Sequence, residues 1–144
     1  MAVGDWLKIG GQVWNVRVLS ITEEATILYS ENTGRTMAAN APMVLDPLGT
    51  FIGHKIEVAP MKNYESDFDR LYDFVNIPRK EGLMVECVHY QDTISYRAYI
   101  SQASRAVKRI NENSTHWDNN GVRIKVKWDK MSLNIVPMSA QISP

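Results

Sequence analysis

Cys87 and His89 stand two residues apart in "CVH", and the other two histidines are His54 and His116. At that spacing a thiolate and an imidazole share one face of a strand, where they could supply part of a zinc site. Zinc needs three or four ligands, usually in close pairs, and one cysteine with two distant histidines falls short of that. The same pair is a poor nucleophile and base, because side chains two apart on a strand run parallel instead of converging. Nothing near Cys87 marks a helix N-terminus that would lower its pKa. The expectation is a buried thiol beside a strand histidine. The paired carboxylates, Glu23–Glu24 and Asp67–Asp69, fall at an expected turn and an expected helix start, where acids serve structure. No nucleotide-binding glycine fingerprint, phosphate loop or HExxH is present. The residues imply no catalytic set, no metal site and no cofactor, and the expectation is that the chain is not an enzyme.

Three other groups carry binding chemistry. Arg105, Lys108 and Arg109 form one basic face with Arg123, Lys125 and Lys127 if their segments pair, with Trp117 and Trp128 nearby. Arg123, Lys125 and Lys127 alternate along one side of "VRIKVKWD", a candidate track for a nucleic-acid backbone. The alternative is a solvated face balanced by Glu112, Asp118 and Asp129. Trp117, in the polar loop "THWDNNG", is a candidate contact for a ligand or partner, since an exposed aromatic suits stacking. The other reading tucks it against the chain's own surface.

The third group is the stretch "RTMAANAPMVLDPLGTFIG", Arg35 to Gly53. Its prolines and glycines read as a loop, yet Met37, Met43, Leu45, Leu48 and Phe51 give it the apolar content of a core. Loops run over the surface because their backbone groups need water, so these side chains must be covered by something. Either the loop is an assembly arm, with Arg35, Met37, Met43, Leu45 and Leu48 at a subunit interface, or it folds back over its own sheet edge.

The bulk numbers constrain what such groups can serve. At 144 residues the chain is the size of one domain, expected to span 1–144 and able to bury a full core without staples. Lysine plus arginine equal aspartate plus glutamate at 16 each. A free-standing nucleic-acid binder usually carries a basic excess, so sequence-specific nucleic-acid binding is not expected, while zero net charge favours self-association. The single cysteine fits synthesis in a reducing compartment. No signal-like start and no apolar run of membrane-spanning length occur, so the expectation is a cytoplasmic product that does not engage a membrane.

The elements that position these groups are mainly strands. "WLKIGG" leads into the Gly10–Gly11 hairpin signal, Val13 to Ile21 continue a β-rich run, and Ala25 to Tyr29 read as a further strand. "KIEV" is strand again. In "YESDFDRLYDFVNIP", Phe68, Leu71, Tyr72 and Val75 recur at helical spacing, Ser66 suits the N-cap with Asp69 three residues on, and Pro78 follows the end. That predicts one helix over about 66–76. "LMVECVHY" and "ISYRAYIS" flank "QDT" as a hairpin. "QASRAVKRI" either extends the second strand or forms a helical turn, and 111–121 reads as an insertion loop. In "VRIKVKWDKMSLNIV" the apolar residues change parity between Trp128 and Met131, which predicts a bulge there. The expected class is mainly β (α+β), a single β-sandwich or barrel-like domain of six to eight strands with one helix.

This order of elements resembles that of the small tail proteins of long-tailed bacteriophages built on the tail-tube β-sandwich. The family includes the N-terminal domain of distal tail proteins and short stand-alone relatives. The matching pieces are Leu7–Ile9 with Gly10, Gly34–Arg35, Lys55–Val58, Tyr64–Leu71, and Trp128 with Leu133–Val136. The loop over about 30–53 and the insertion at about 111–121 are longer than the family pattern. The resemblance implies a tail-tube-like fold and a structural subunit of the virion tail, assembled in the host bacterial cytoplasm. It implies a ring, sixfold in this family, at the tail end, tube, connector or baseplate. Its partners would be copies of itself and neighbouring tail proteins, with DNA passing through the ring. A β-sandwich binding module, holding a carbohydrate or partner protein on exposed aromatics, is the alternative.

Overall fold

The computed structural model describes residues 6–29, 34–35 and 43–143, with the backbone alone at 34, 35, 43 and 44. In chain order these form β1 (Lys8–Ile9), β2 (Val16–Tyr29), β3 (Gly34–Arg35), β4 (Met43–Val44) and β5 (Pro47–Pro60). Then come α1 (Glu65–Val75), β6 (Leu83–His89), β7 (Asp92–Ile110) and β8 (Val126–Pro137). Six strands make one antiparallel sheet in the order β1-β6-β7-β8-β5-β2, and β3 pairs with β4 separately. The class is the expected one, mainly β with a single helix among the described residues. No described helix is long and apolar enough to cross a membrane.

Alternation makes the sheet one-sided where it matters. Ile52, His54, Ile56 and Val58 of β5, Leu83, Val85 and Cys87 of β6, and Met131, Leu133 and Ile135 of β8 all turn inward and are buried. Cross-strand partners such as Ile56 with Leu133 and Val85 with Tyr96 hold that layer in register. Helix α1 packs against β2, β5 and β7 and buries Phe68, Leu71 and Val75 in the same core, with Tyr72 half-buried.

Bulges bend the sheet. Arg105 pairs with Met131 and Val107 with Trp128, so β8 carries one extra residue between Trp128 and Met131, where the apolar parity changes. Leu19 of β2 and Ser101 of β7 are extra residues of the same kind. Each adds local twist, and the sheet curls until its two ends meet. Glu23 of β2 reaches His89 of β6 at 2.8 Å. His54 of β5 donates from Nε2 to the Val88 carbonyl at 2.9 Å, while Nδ1 lies 2.7 Å from the Tyr96 hydroxyl. The seam is polar and the barrel-like shape is closed by side chains, not by a strand ladder.

Several boundaries differ from the sequence reading. Glu23–Glu24 mark no turn; they lie inside β2, opposite His54 and Gly53, and are tied to His89 and Lys55. Acids are rare in strands, and here cross-strand bases offset that disfavour. "QASRAVKRI" extends β7 to Ile110. β8 begins only at Val126, because Arg123 is bridged instead to Trp117. Helix α1 starts one residue earlier than expected, with Tyr64 at the N-cap and no side-chain cap of its own.

Candidate functional site

Two surfaces stand out. The first is the β2–β5 hairpin. Of the stretch read as a loop from Arg35 to Gly53, most of the described part is strand: Pro47 to Gly53 belong to β5, and Met43–Val44 pair back with Gly34–Arg35. Pro47, Gly49 and Gly53 disguise the strand. Gly53 is required by close packing, because a Cβ there would stand 2.8 Å from the Ile135 carbonyl oxygen. Register runs from Val16 opposite Pro60 out to Tyr29 opposite Pro47. β8 pairs with β5 only over His54–Val58, and the segment after β8 covers β5 as far as Thr50 through Ile142 and Gln141. Beyond that the described ladder continues only as Leu28 opposite Gly49 and Tyr29 opposite Pro47, the two-stranded arm of the hairpin.

The exposed side chains there are mainly apolar, with Asp46 among them. Ile27, Leu45 and Leu48 are 55%, 56% and 54% exposed, with Leu28 and Tyr29 beside them. Leu45 and Leu48, two residues of the interface reading, are exposed in the single chain. Arg35 and Met43 face each other in the backbone register, while Met37 lies outside the described residues. Ile27, Leu28 and Tyr29 were not singled out from sequence, although the apolar run "ILY" ending a strand is a usable signal.

The second surface forms where the insertion at 111–121 meets the start of α1. Asp118 is buried and acts as the cap that the helix lacks. Its Oδ2 accepts the Ser66 amide at 2.9 Å, and its Oδ1 accepts the amides of Asn120 and Val122 at 3.0 and 2.9 Å. Burial pushes this carboxyl up, but the Ser66 side chain and those amides outweigh it and hold the pKa below the usual range. Asn120 donates to the Ser66 hydroxyl and to Asp67, whose other oxygen accepts from Asn15. His116 reaches Glu65 at 2.8 Å. Ser66 is therefore a capped residue and not the cap.

Arg105 locks helix to sheet. Its guanidinium lies 3.8 Å from the Trp128 ring centre and 4.0 Å from that of Tyr72, and it bonds Asp69 at 2.6 Å. It is consequently no part of an exposed basic face. Arg123 leaves that face too, since its guanidinium donates to the Ser114 and Glu112 carbonyls and closes the loop. Lys125 and Lys127 remain exposed and line a cavity of about 540 Å³ between the β7–β8 end and the start of α1. Lys108 and Arg109 line it from β7, with Arg109 directly opposite Lys127. Arg17 and Lys62 complete it from β2 and the β5–α1 connection. Those last two are far off in sequence, and no local pattern marks them. Trp117, one residue past the cavity-lining His116, is 59% exposed.

Cys87 is buried, and burial pushes its thiol up to about 11, with the Val88 amide opposing and Glu23 adding to the rise. His89 bonds Glu23. Among the described residues no group of three or more candidate ligands could hold a metal ion.

The fold and these surfaces define a mainly β, α+β domain with an apolar hairpin arm and a basic cleft. No family model matches the chain, and no curated protein and no solved structure gives a significant match.

Proposed function

We propose that the chain is a structural assembly subunit that associates with copies of itself through the β2–β5 arm. The observation that carries this is the exposed apolar side chains at the far end of the β2–β5 hairpin: Leu28, Tyr29, Leu45 and Leu48, with Ile27 just inside that end. A long edge strand with apolar side chains is a template for pairing unless something covers it, and β2 is such an edge. Zero net charge adds no long-range repulsion between copies. The element order resembling tail-tube-like proteins supports the narrower proposal, a ring subunit of a long-tailed bacteriophage tail with neighbouring tail proteins as further partners.

The test is a Leu45→Ser, Leu48→Ser double variant. Both side chains are already half in water, so subunit stability should stay within roughly 0.5 kcal/mol of the parent. Association should weaken by about 1 kcal/mol per leucine, together roughly thirtyfold, read from sedimentation across a concentration series. A variant that unfolds more readily but associates normally would show that the arm covers its own subunit instead.

A further inference from the structure

The basic cleft is independent of the arm. Six cations, Arg17, Lys62, Lys108, Arg109, Lys125 and Lys127, converge on one cavity from four separate segments of the chain. None of the six forms an ion pair among the described residues. Of the three carboxylates lining the same cavity, Asp69 is paired with Arg105, while Glu65, hydrogen-bonded to His116, and Asp129 leave the six cations well in excess. In a chain whose charges sum to zero, gathering six like charges in a concavity sets up a focused positive potential. Dispersed surface lysines would need no explanation; six unpaired cations around about 540 Å³, within the range of ligand sites, do.

We infer that this cleft binds the phosphodiester backbone of a nucleic-acid strand, without reading its sequence. Lys125 and Lys127 are two residues apart, roughly 7 Å on extended chain, a step that matches successive phosphates. Arg109 stands across from Lys127, so the cations run in two adjacent rows along the β7–β8 end. Trp128 lines the cavity with Arg105 on its ring, and Trp117, next in sequence to the lining His116, is exposed. A basic groove with aromatic side chains beside it suits a strand with unstacked bases better than an acidic peptide, which would gain nothing from the tryptophans.

The experiment is fluorescence anisotropy of a labelled single-stranded 20-mer, its duplex and a polyglutamate competitor, against the full chain at rising salt. Single strands should bind at low salt, with log K falling by about 0.7 per phosphate contacted for each decade of salt. The Lys125→Glu, Lys127→Glu and the Lys108→Glu, Arg109→Glu double variants should each lose at least about tenfold, and Trp117→Ala should lose about tenfold through stacking. Lys80→Glu, exposed and outside the cleft, should bind like the parent. Native mass of each variant keeps folding and self-association separate from binding. Absence of oligonucleotide binding at low salt, charge-reversed variants that bind normally, or polyglutamate competing as well as the strand would each overturn the inference. None of these outcomes bears on the arm.

Discussion

Asp118 gathers three backbone amides on one carboxylate at a place where the chain offers the helix no cap of its own. An amide in its place turns an NH₂ toward at least one of those donors. Asp118→Asn should therefore cost about 1–3 kcal/mol, measured by urea unfolding at neutral pH. The pH dependence follows from the direction of the shift. Because the folded carboxyl titrates below the unfolded one, its contribution is complete above the unfolded range near ~3.9 and is lost as pH falls through the folded value. Parent stability should drop on acidification below about pH 4, and the Asn variant should lack that part of the drop. Cys87 makes the opposite kind of prediction. With its thiol held up at about 11 in the core, native protein at pH 8 should resist iodoacetamide and label fully in urea. Brisk labelling of native protein would mean that the β6 end opens readily.

Strands and turns carry their own test in the Gly10–Gly11 turn. Both glycines have positive φ, at +67° and +81°, and the Ile9 amide closes the turn on the Gln12 carbonyl. A Cβ on Gly10 would stand 2.4 Å from Cζ of Phe74, whose ring also packs on Trp14 and under Arg79, whereas a Cβ on Gly11 meets nothing. Gly11→Ala should cost about 1–2 kcal/mol from backbone strain alone. Gly10→Ala should cost clearly more, because the aromatic packing against α1 must shift as well. Urea midpoints of the two variants decide the order. The long strands show why elements were only partly legible. Alternation of Ile56 and Val58 and the parity change after Trp128 are local facts, and both mark real features. The unbroken length of β2 is not local: it depends on the side chains of His89 and Lys55 reaching Glu23 and Glu24 from β6 and β5.

For the molecule as a whole, the arm and the cleft lie on different parts of the sheet and make separable demands. The arm should make association depend on concentration. Native mass recorded over a hundredfold dilution should show one closed species giving way to monomer, and the Leu45→Ser, Leu48→Ser variant should shift that transition upward. Salt should affect the two surfaces differently. Contacts between apolar side chains tolerate it, while binding to six unpaired cations should fall steeply. A transition that moved with salt as strongly as oligonucleotide binding would place charge, not the apolar hairpin, at the subunit contact.

By itself the sequence determined the class of fold, the helix with its buried stripe, and the bulge near Asp129. These depend on spacings of two to four residues, which periodicity reports directly. It also singled out Leu45, Leu48 and Trp117 but left open whether the chain's own surface covers them, and the structure leaves all three exposed. Only the tertiary structure decided what became of the charges. Arg105 and Arg123 looked equivalent to Lys125 and Lys127 along the chain. Packing sent the first onto Trp128 and Tyr72 and the second onto loop carbonyls, while Arg17 and Lys62 arrived from elsewhere to complete the cleft. The physical reason is that a charge is defined by its neighbours in space. A curled antiparallel sheet supplies those neighbours from strands as far apart as β2 and β8.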